Sequence, residues 1–369
     1  MSNVRQSGFC LAIPAILACC VMVAILPRAS VGADLPPPWK VHNKLLGKPK
    51  DAAGLENKKS EDVSGIACAA SGFPRLCLIV DDESQGAQIV IVNDGDLIAG
   101  DFIRLITDVH EGKPLELDAE GAAYDDVDKS FYVIGSHGRA RHEDDPKKEA
   151  KNKAKNKAKA EASRRVFRIR LKADAVDVKT GKLAATPDIK PSSLSELIQA
   201  QDELAPWFDK PLDDNGLTIE GVAVLDRHLY AGMRGPVLDD GSAVMLSAPL
   251  TAIFDGQAGK SKLHRVNLGR DTAGKPRGIR DIVVYRGAFL LIAGPVSDPP
   301  SGDIKPADYA IFRYDGTVAN KLLDLDPYGN AVKPEALLPL EEKDGKLHAL
   351  LFFDGPVEGE PRPVEFKLQ

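Results

Sequence analysis

No aspartate or glutamate occurs in the first thirty-three residues. That stretch holds Arg5 and Arg28, an apolar run from Phe9 to Leu26, Pro27 and a small-residue ending Val31-Gly32-Ala33, the layout of a secretory leader cleaved after Ala33. An uncleaved N-terminal anchor is the alternative. Leu17 fits a lipid-attachment motif at Cys19-Cys20 poorly, so lipidation is not expected. Cysteine is scarce too: of five, Cys10, Cys19 and Cys20 leave with the leader. The remaining Cys68 and Cys77 face each other across a predicted hairpin and either pair in an oxidising compartment or act as two small buried apolar residues. Neither a nucleophile elbow nor a Walker loop is present. Basic residues are outnumbered, with a formal charge of −6 that becomes more negative once Arg5 and Arg28 are removed. No specific nucleic-acid partner is expected of such a chain, and a membrane is met only through the leader during export.

What the mature chain does contain is repetition. An acidic or small polar residue, an apolar strand, a short turn, a second strand and a polar cluster return five times. The copies begin at Ser64, Glu120, Glu220, Asp281 and Glu335. Their second strands end near Asp81-Asp82, Ser136-His137-Gly138-Arg139, Met233-Arg234, Gly294-Pro295 and Asp354. Runs of β-branched, aromatic and aliphatic residues bounded by turn residues are strands, and about four fall in each copy. That is the content of a propeller blade, so the chain is read as all-β: a single five-bladed β-propeller over 34–369. The interval between the second and third copies is nearly double the others. It holds a Lys/Ala run within 144–165, a solvated helix or loop, and a helical stretch within 192–207 with Ser192 or Ser193 placed to cap it. Counting these as insertions gives five blades; counting them as structure gives six. The last copy has only three strands, and the segment from Trp39 to Leu46 is expected to complete it and close the ring.

The residue before a blade's first strand and those after its second fall at the same end of the ring. Glu120, Glu220, Asp281 and Glu335 would therefore surround one mouth of the central channel, with Asp82, His137, Arg139, Arg234 and Asp354 just outside. Both insertions should overhang this mouth. Carboxylates held close together must share protons, meet arginine or bind a cation. Oxygen-only ligands favour Ca²⁺ or Mg²⁺ over Zn²⁺. Glu120, Glu220, Asp281, Glu335 and Asp82 are the candidate metal ligands; His137, Arg234 and Arg139 are the candidate groups for an anionic substrate. Structural roles compete: carboxylates satisfied by backbone or arginine, and His137 as a hydrogen-bonded channel residue.

Three segments carry a family likeness: Asp118-Ala119-Glu120-Gly121-Ala122-Ala123-Tyr124 with Tyr132-Val133-Ile134-Gly135-Ser136-His137; Ile219-Glu220-Gly221-Val222-Ala223 with Met233-Arg234-Gly235-Pro236; and Gly278-Ile279-Arg280-Asp281-Ile282 with Leu291-Ile292-Ala293-Gly294-Pro295. They resemble an uncharacterised bacterial family catalogued as a domain of unknown function, which brings no reaction to transfer. A weaker likeness, limited to the acidic-Gly strand starts, is to esterase-like phytase and calcium-dependent lactonase propellers, where strand-start carboxylates hold the metal. Ser64 departs from that pattern. Together these readings anticipate a periplasmic or secreted propeller whose acidic mouth uses a divalent cation to bind or hydrolyse a small anionic, phosphoester-like ester. The alternative is a non-catalytic module for a protein or cell-envelope component.

Overall fold

The computed structural model describes residues 1, 36–51, 56–140, 145–172, 174–300, 303–326 and 333–368. The leader expectation lies almost wholly outside these residues, as does the first residue of the Lys-rich insertion. Five sheets, antiparallel but for one edge strand of blade 1, stand in a ring in the order blade 1 to blade 5 along the chain. The innermost strands are Val63–Cys68, Ala119–Asp125, Thr218–Leu225, Arg277–Tyr285 and Lys333–Lys343. Each runs into a tight hairpin and a second strand: Arg75–Asp81, Ser130–Gly135, His228–Gly235, Ala288–Pro295 and Lys346–Asp354. Blades 1 to 4 add two more strands, and blade 5 adds one, Arg362–Phe366.

Continuous apolar runs explain the ring. A middle strand of a blade shows apolar side chains on both faces, and each face needs a neighbouring blade to cover it. The buried residues accordingly divide into five apolar clusters, one at every blade-to-blade junction; Tyr132, Ile134, Val222 and Met233, for example, meet between blades 2 and 3. The sequence at the channel is set by proximity. A Cβ placed on Gly65 would lie 2.8 Å from the Cα of Gly121, one on Gly121 2.9 Å from the nitrogen of Val222, and one on Gly221 2.7 Å from the nitrogen of Ile282. Backbone meets backbone at these junctions, so only glycine fits.

The N-terminal segment closes the seam differently from expectation. Lys40–His42 pairs in parallel with Asp96–Arg104 on the outer edge of blade 1, while blade 5 keeps three strands. Contact with blade 5 is made by single bonds instead: the Trp39 amide donates to Pro361 O at 2.7 Å, Arg362 Nη1 donates to Pro36 O at 2.8 Å, and an isolated bridge joins Asp62 to Asp354. Cys68 and Cys77, directly opposite in blade 1, form a disulfide.

Both insertions are helical. Pro146–Ser163 forms α1, capped by the Asp145 side chain, which accepts from the Lys147 amide. Ser195–Gln199 forms the short α2, and Leu194, Ile198, Leu204 and Phe208 of this stretch are buried between blades 2 and 3. Ser193 Oγ accepts from the Ser195 amide, but the Leu194 amide is met by His137 rather than by a serine.

Replacing Gly221 with alanine forces its Cβ onto the backbone of blade 4, an overpacking that costs about 1–3 kcal/mol. A Gly221→Ala protein is expected to melt at a lower temperature in circular dichroism; an unchanged midpoint refutes the backbone contact.

Candidate functional site

In every blade the innermost strand slips register by one residue at the same end of the channel: between Val63 and Gly65, Ala119 and Gly121, Ile219 and Gly221, Ile279 and Asp281, and Pro334 and Ala336. A bulge removes one residue from the ladder and re-aims its side chain. The freed residues are Ser64, Glu120, Glu220, Arg280 and Glu335, and all five line one cavity of about 730 Å³. Two residues earlier, Asp62, Asp118, Thr218 and Lys333 line it as well. Among the described residues, nine carboxylates and five cationic side chains line this wall.

The fourth position of the ring is therefore Arg280, and the expectation for Asp281 is corrected. Asp281 stands one residue further on, where three other blades have glycine. Its carboxylate turns into the blade junction, accepting the Ile282 amide at 2.7 Å and, from blade 5, the Leu337 amide at 2.7 Å. Burial pushes its pKa up to about 7 against the pull of those two bonds. Glycine after the anchor in blades 1 to 3 was the signal that aligned Arg280, not Asp281, with Glu220.

Charge divides the ring into two unlike halves. In blades 3 to 5, Arg280 is 1% exposed; its Nε donates to Glu335 Oε2 at 3.1 Å and lies 3.3 Å from Glu220 Oε2, and its Nη2 meets Glu335 Oε1. Arg234 Nη1 donates to Glu220 Oε1 at 3.0 Å. Burial works against the Arg280 charge, but Glu220, Glu335 and Asp298 outweigh it and hold its pKa well above the ordinary value. Glu220 and Glu335 thus face guanidinium groups, although for Glu335 burial outweighs Arg280 and, with the Glu220 charge, drives its pKa well above the ordinary range.

The other half, in blades 1 and 2, lacks such partners. Asp82 follows the second strand of blade 1, Asp118 precedes the inner strand of blade 2 with a left-handed φ of 56°, and Glu120 is that strand's bulge residue. One carboxylate oxygen from each lies within 4.8 Å of the others. Ser136 Oγ donates to Asp118, whereas Asp82 Oδ1 is buried without a hydrogen-bond donor. Among the described residues no lysine, arginine or histidine pairs with any of the three. Burial first, then the charges of neighbouring acids, drives Asp82 and Glu120 well above the carboxylate range and raises Asp118. Beside them Asp62 is pushed up to about 7 by burial and by the hydrogen bond it shares with Asp354. Asp118 went unforeseen, although Asp-Ala-Glu repeats the spacing of Asp-Val-Ser in blade 1.

His137 does not reach the cavity. It is fully buried, its Nδ1 donates to Gly135 O at 2.9 Å, and its Nε2 accepts the Leu194 amide at 3.1 Å. Both nitrogens serve to hold α2 against blade 2. Burial, with Arg164 nearby, lowers its pKa to about 4. Arg139 is exposed at the rim, donating to Asp209 O at 2.8 Å. Of the two insertions only α1 overhangs the mouth: Lys159, Ala160 and Ser163 line the cavity, and Lys159 is tied to Glu116 at 2.8 Å.

A family model described as "Protein of unknown function (DUF3616)" matches residues 78–359. No curated protein matches the chain. Among solved structures the chain is similar to a bifunctional GH43-CE protein of Bacteroides eggerthii (12% identity, 88% of this chain and 34% of that one, TM-score 0.45). It is also similar to an exo-β-1,3-galactanase of Phanerochaete chrysosporium (12%, 91% and 64%, 0.42) and to the PQQ-bound aldose sugar dehydrogenase of Streptomyces coelicolor (12%, 90% and 100%, 0.39). These likenesses are too slight to bear on activity.

Two substitutions separate framework from site. Asp281→Ala orphans a buried interblade amide and should cost about 1–3 kcal/mol in a denaturant titration. For His137 the folded pKa lies below the unfolded one, so between pH 6.5 and about 4 the unfolded chain takes up a proton that the folded protein refuses. Wild-type stability should fall through that window, and His137→Gln should remove that part of the slope while lowering stability at neutral pH; an unaltered slope would refute the buried neutral imidazole.

Proposed function

The chain belongs to the DUF3616 family, whose description assigns no reaction, and from the site itself we propose that the channel mouth binds a divalent cation on Asp82, Asp118 and Glu120 and holds a small anionic ester against it. The observation that carries this reading is the uncompensated triad. Oxygens within 4.8 Å of one another are spanned by one ion at Ca²⁺–oxygen distances of about 2.4 Å. An unbonded buried oxygen on Asp82 is the kind of orphan that an ion satisfies. Oxygen-only donors suit Ca²⁺ or Mg²⁺.

Such an ion, when bound, polarises an ester oxygen and lowers the pKa of a coordinated water. Around it the protein's own groups divide the work. Asp82 and Asp118 hold fixed positions at strand ends, and Ser136 orients Asp118. Glu120, freed by its bulge and facing the cavity, is the ligand or proton acceptor. Arg234 and Arg280 present positive charge to an anion on the opposite wall. Glu220, Glu335, Asp281 and His137 belong to the framework in this scheme. Export, read from residues 1–33, puts the site in the periplasm or outside the cell, where the Cys68–Cys77 disulfide persists. A second reading, a non-catalytic module that recognises a cell-envelope component, is favoured by α1, whose lysines 147, 148, 151, 153, 155 and 157 are exposed beside the mouth.

Calorimetric titration with CaCl₂ and MgCl₂ tests the cation. Binding of one ion is expected, weakened about tenfold or more in Asp82→Asn and Glu120→Gln, a loss of about 1.4 kcal/mol or greater. Raised carboxyl pKa values mean that the ion displaces protons, so affinity should increase from about pH 5.5 to about pH 8 with proton release into the buffer. No heat and no thermal stabilisation with either ion at about pH 8 sinks the proposal. Turnover of phosphoester, lactone or carboxyl-ester probes that EDTA abolishes supports hydrolysis; cation binding without turnover of any probe supports the module.

A further inference from the structure

One carboxylate at the mouth faces the arginine half of the ring from a connecting segment. Asp298 lies in the connection after Ala288–Pro295, and its side chain is 14% exposed in the cavity wall. Three cations and a phenol converge on it. Its Oδ2 lies 2.8 Å from Arg234 Nη2 and 3.9 Å from Lys333 Nζ; its Oδ1 lies 3.4 Å from Arg280 Nη1 and accepts from Tyr309 OH at 3.2 Å. Burial opposes its charge, yet Arg280, Arg234 and Lys333 hold its pKa below the ordinary range.

The fit is incomplete in an informative way. Every other nitrogen of the two guanidinium groups that faces an acceptor is committed: Arg234 Nε to Val296 O, Arg234 Nη1 to Glu220, and Arg280 Nε and Nη2 to Glu335. The two nitrogens aimed at Asp298, Arg234 Nη2 and Arg280 Nη1, are buried and make no aligned hydrogen bond. Asp298 satisfies their charge but not their donor geometry. An incoming acceptor that brings two oxygens between them would do both, because paired guanidinium donors match a flat two-oxygen face. The charge of that acceptor follows from its surroundings. Asp298 adds one negative charge to a group in which Arg234, Arg280 and Lys333 already face Glu220, Glu335 and Asp354. Replacing Asp298 by a single negative charge leaves the balance as it stands; a dianion would add an excess.

We propose that Arg234, Arg280, Lys333 and the Tyr309 hydroxyl form a binding site for a singly charged oxyanion group, a carboxylate or a phosphodiester, which Asp298 fills as an internal stand-in. The segment 296–300 gives way when an external group takes its place. This deepens the reading above by assigning the anionic part of the ligand to the wall opposite the carboxylate triad, and it rests on that reading only for the pairing of the two subsites.

The test is run in EDTA, so that the cation site has no part in its outcome. Wild-type protein, Asp298→Ala and the near-isosteric Asp298→Asn are titrated with acetate and with dimethyl phosphate, with chloride at equal ionic strength as control. Asp298 in place reduces the competent fraction of sites, so a stand-in that fills nine-tenths of them makes wild-type binding about tenfold weaker than in the variants. Expected are that gain for acetate, dimethyl phosphate or both, the stronger naming the ligand class, and its loss when Arg234→Gln is added. Folded variants that bind neither anion better than wild type, or respond equally to chloride, overturn the proposal. Should neither variant fold, amide hydrogen exchange of 296–298 in wild type decides it: saturating acetate or dimethyl phosphate accelerates exchange if the segment is displaced, and unchanged exchange overturns it.

Discussion

Backbone pressed against backbone around the channel is the constraint on which this molecule depends. Five inner strands converge on a narrow axis, and at three junctions glycine lets neighbouring chains approach within van der Waals contact. Where the glycine series stops, at Asp281, the junction is bridged instead by a carboxylate that takes one amide from its own strand and one from the next. The same crowding accompanies a bulge in every blade, and the bulge turns one side chain out of the ladder into the cavity. Framework and site are consequences of one local geometry repeated five times.

What differs between blades is the chemistry put on that geometry. Serine, glutamate, glutamate, arginine and glutamate occupy equivalent places. A single arginine among the acids converts half of the ring into a buried ion network, since Arg280 joins Glu220 to Glu335 and draws in Arg234 and Asp298. Buried charges of this kind cost desolvation that only close opposite charge offsets. The remaining acids have no such partner, and burial with their mutual repulsion raises their proton affinity. The mouth is divided: carboxylates without cationic partners on the side of blades 1 and 2, and carboxylates joined to arginines on the other.

Periodicity made the propeller legible: strand-turn-strand copies with polar ends forecast five blades and the end at which the acids gather. Register was less so. Arg280 and Asp281 are adjacent, and choosing the acid because the other blades carry acids put the ring one residue out; the following glycine was the better guide. His137 misled because a Gly-Ser-His-Gly run after a strand looks exposed, whereas an insertion far along the chain folds over it and brings the Leu194 amide to its ring. Asp298 went unread although Gly294-Pro295-Val296-Ser297-Asp298 repeats Gly235-Pro236-Val237-Leu238-Asp239 of blade 3; the pattern does not tell which of the two acids meets the arginines. The N-terminal segment was expected to complete blade 5, whereas it pairs in parallel with blade 1, a choice beyond any pattern in a three-residue strand.

That seam has a kinetic meaning. Trp39 and Arg362 are joined to groups more than three hundred positions away, and the first and last blades share an apolar junction that neither can bury alone. Most blade junctions can form between neighbours in sequence, but the circle cannot, so the final junction carries the longest loop-closure cost of the whole chain. Until both ends are present, the facing sides of blades 1 and 5 stay wet and adhesive. While the chain is being made the ring is only an arc, and it becomes a closed object at the last strand.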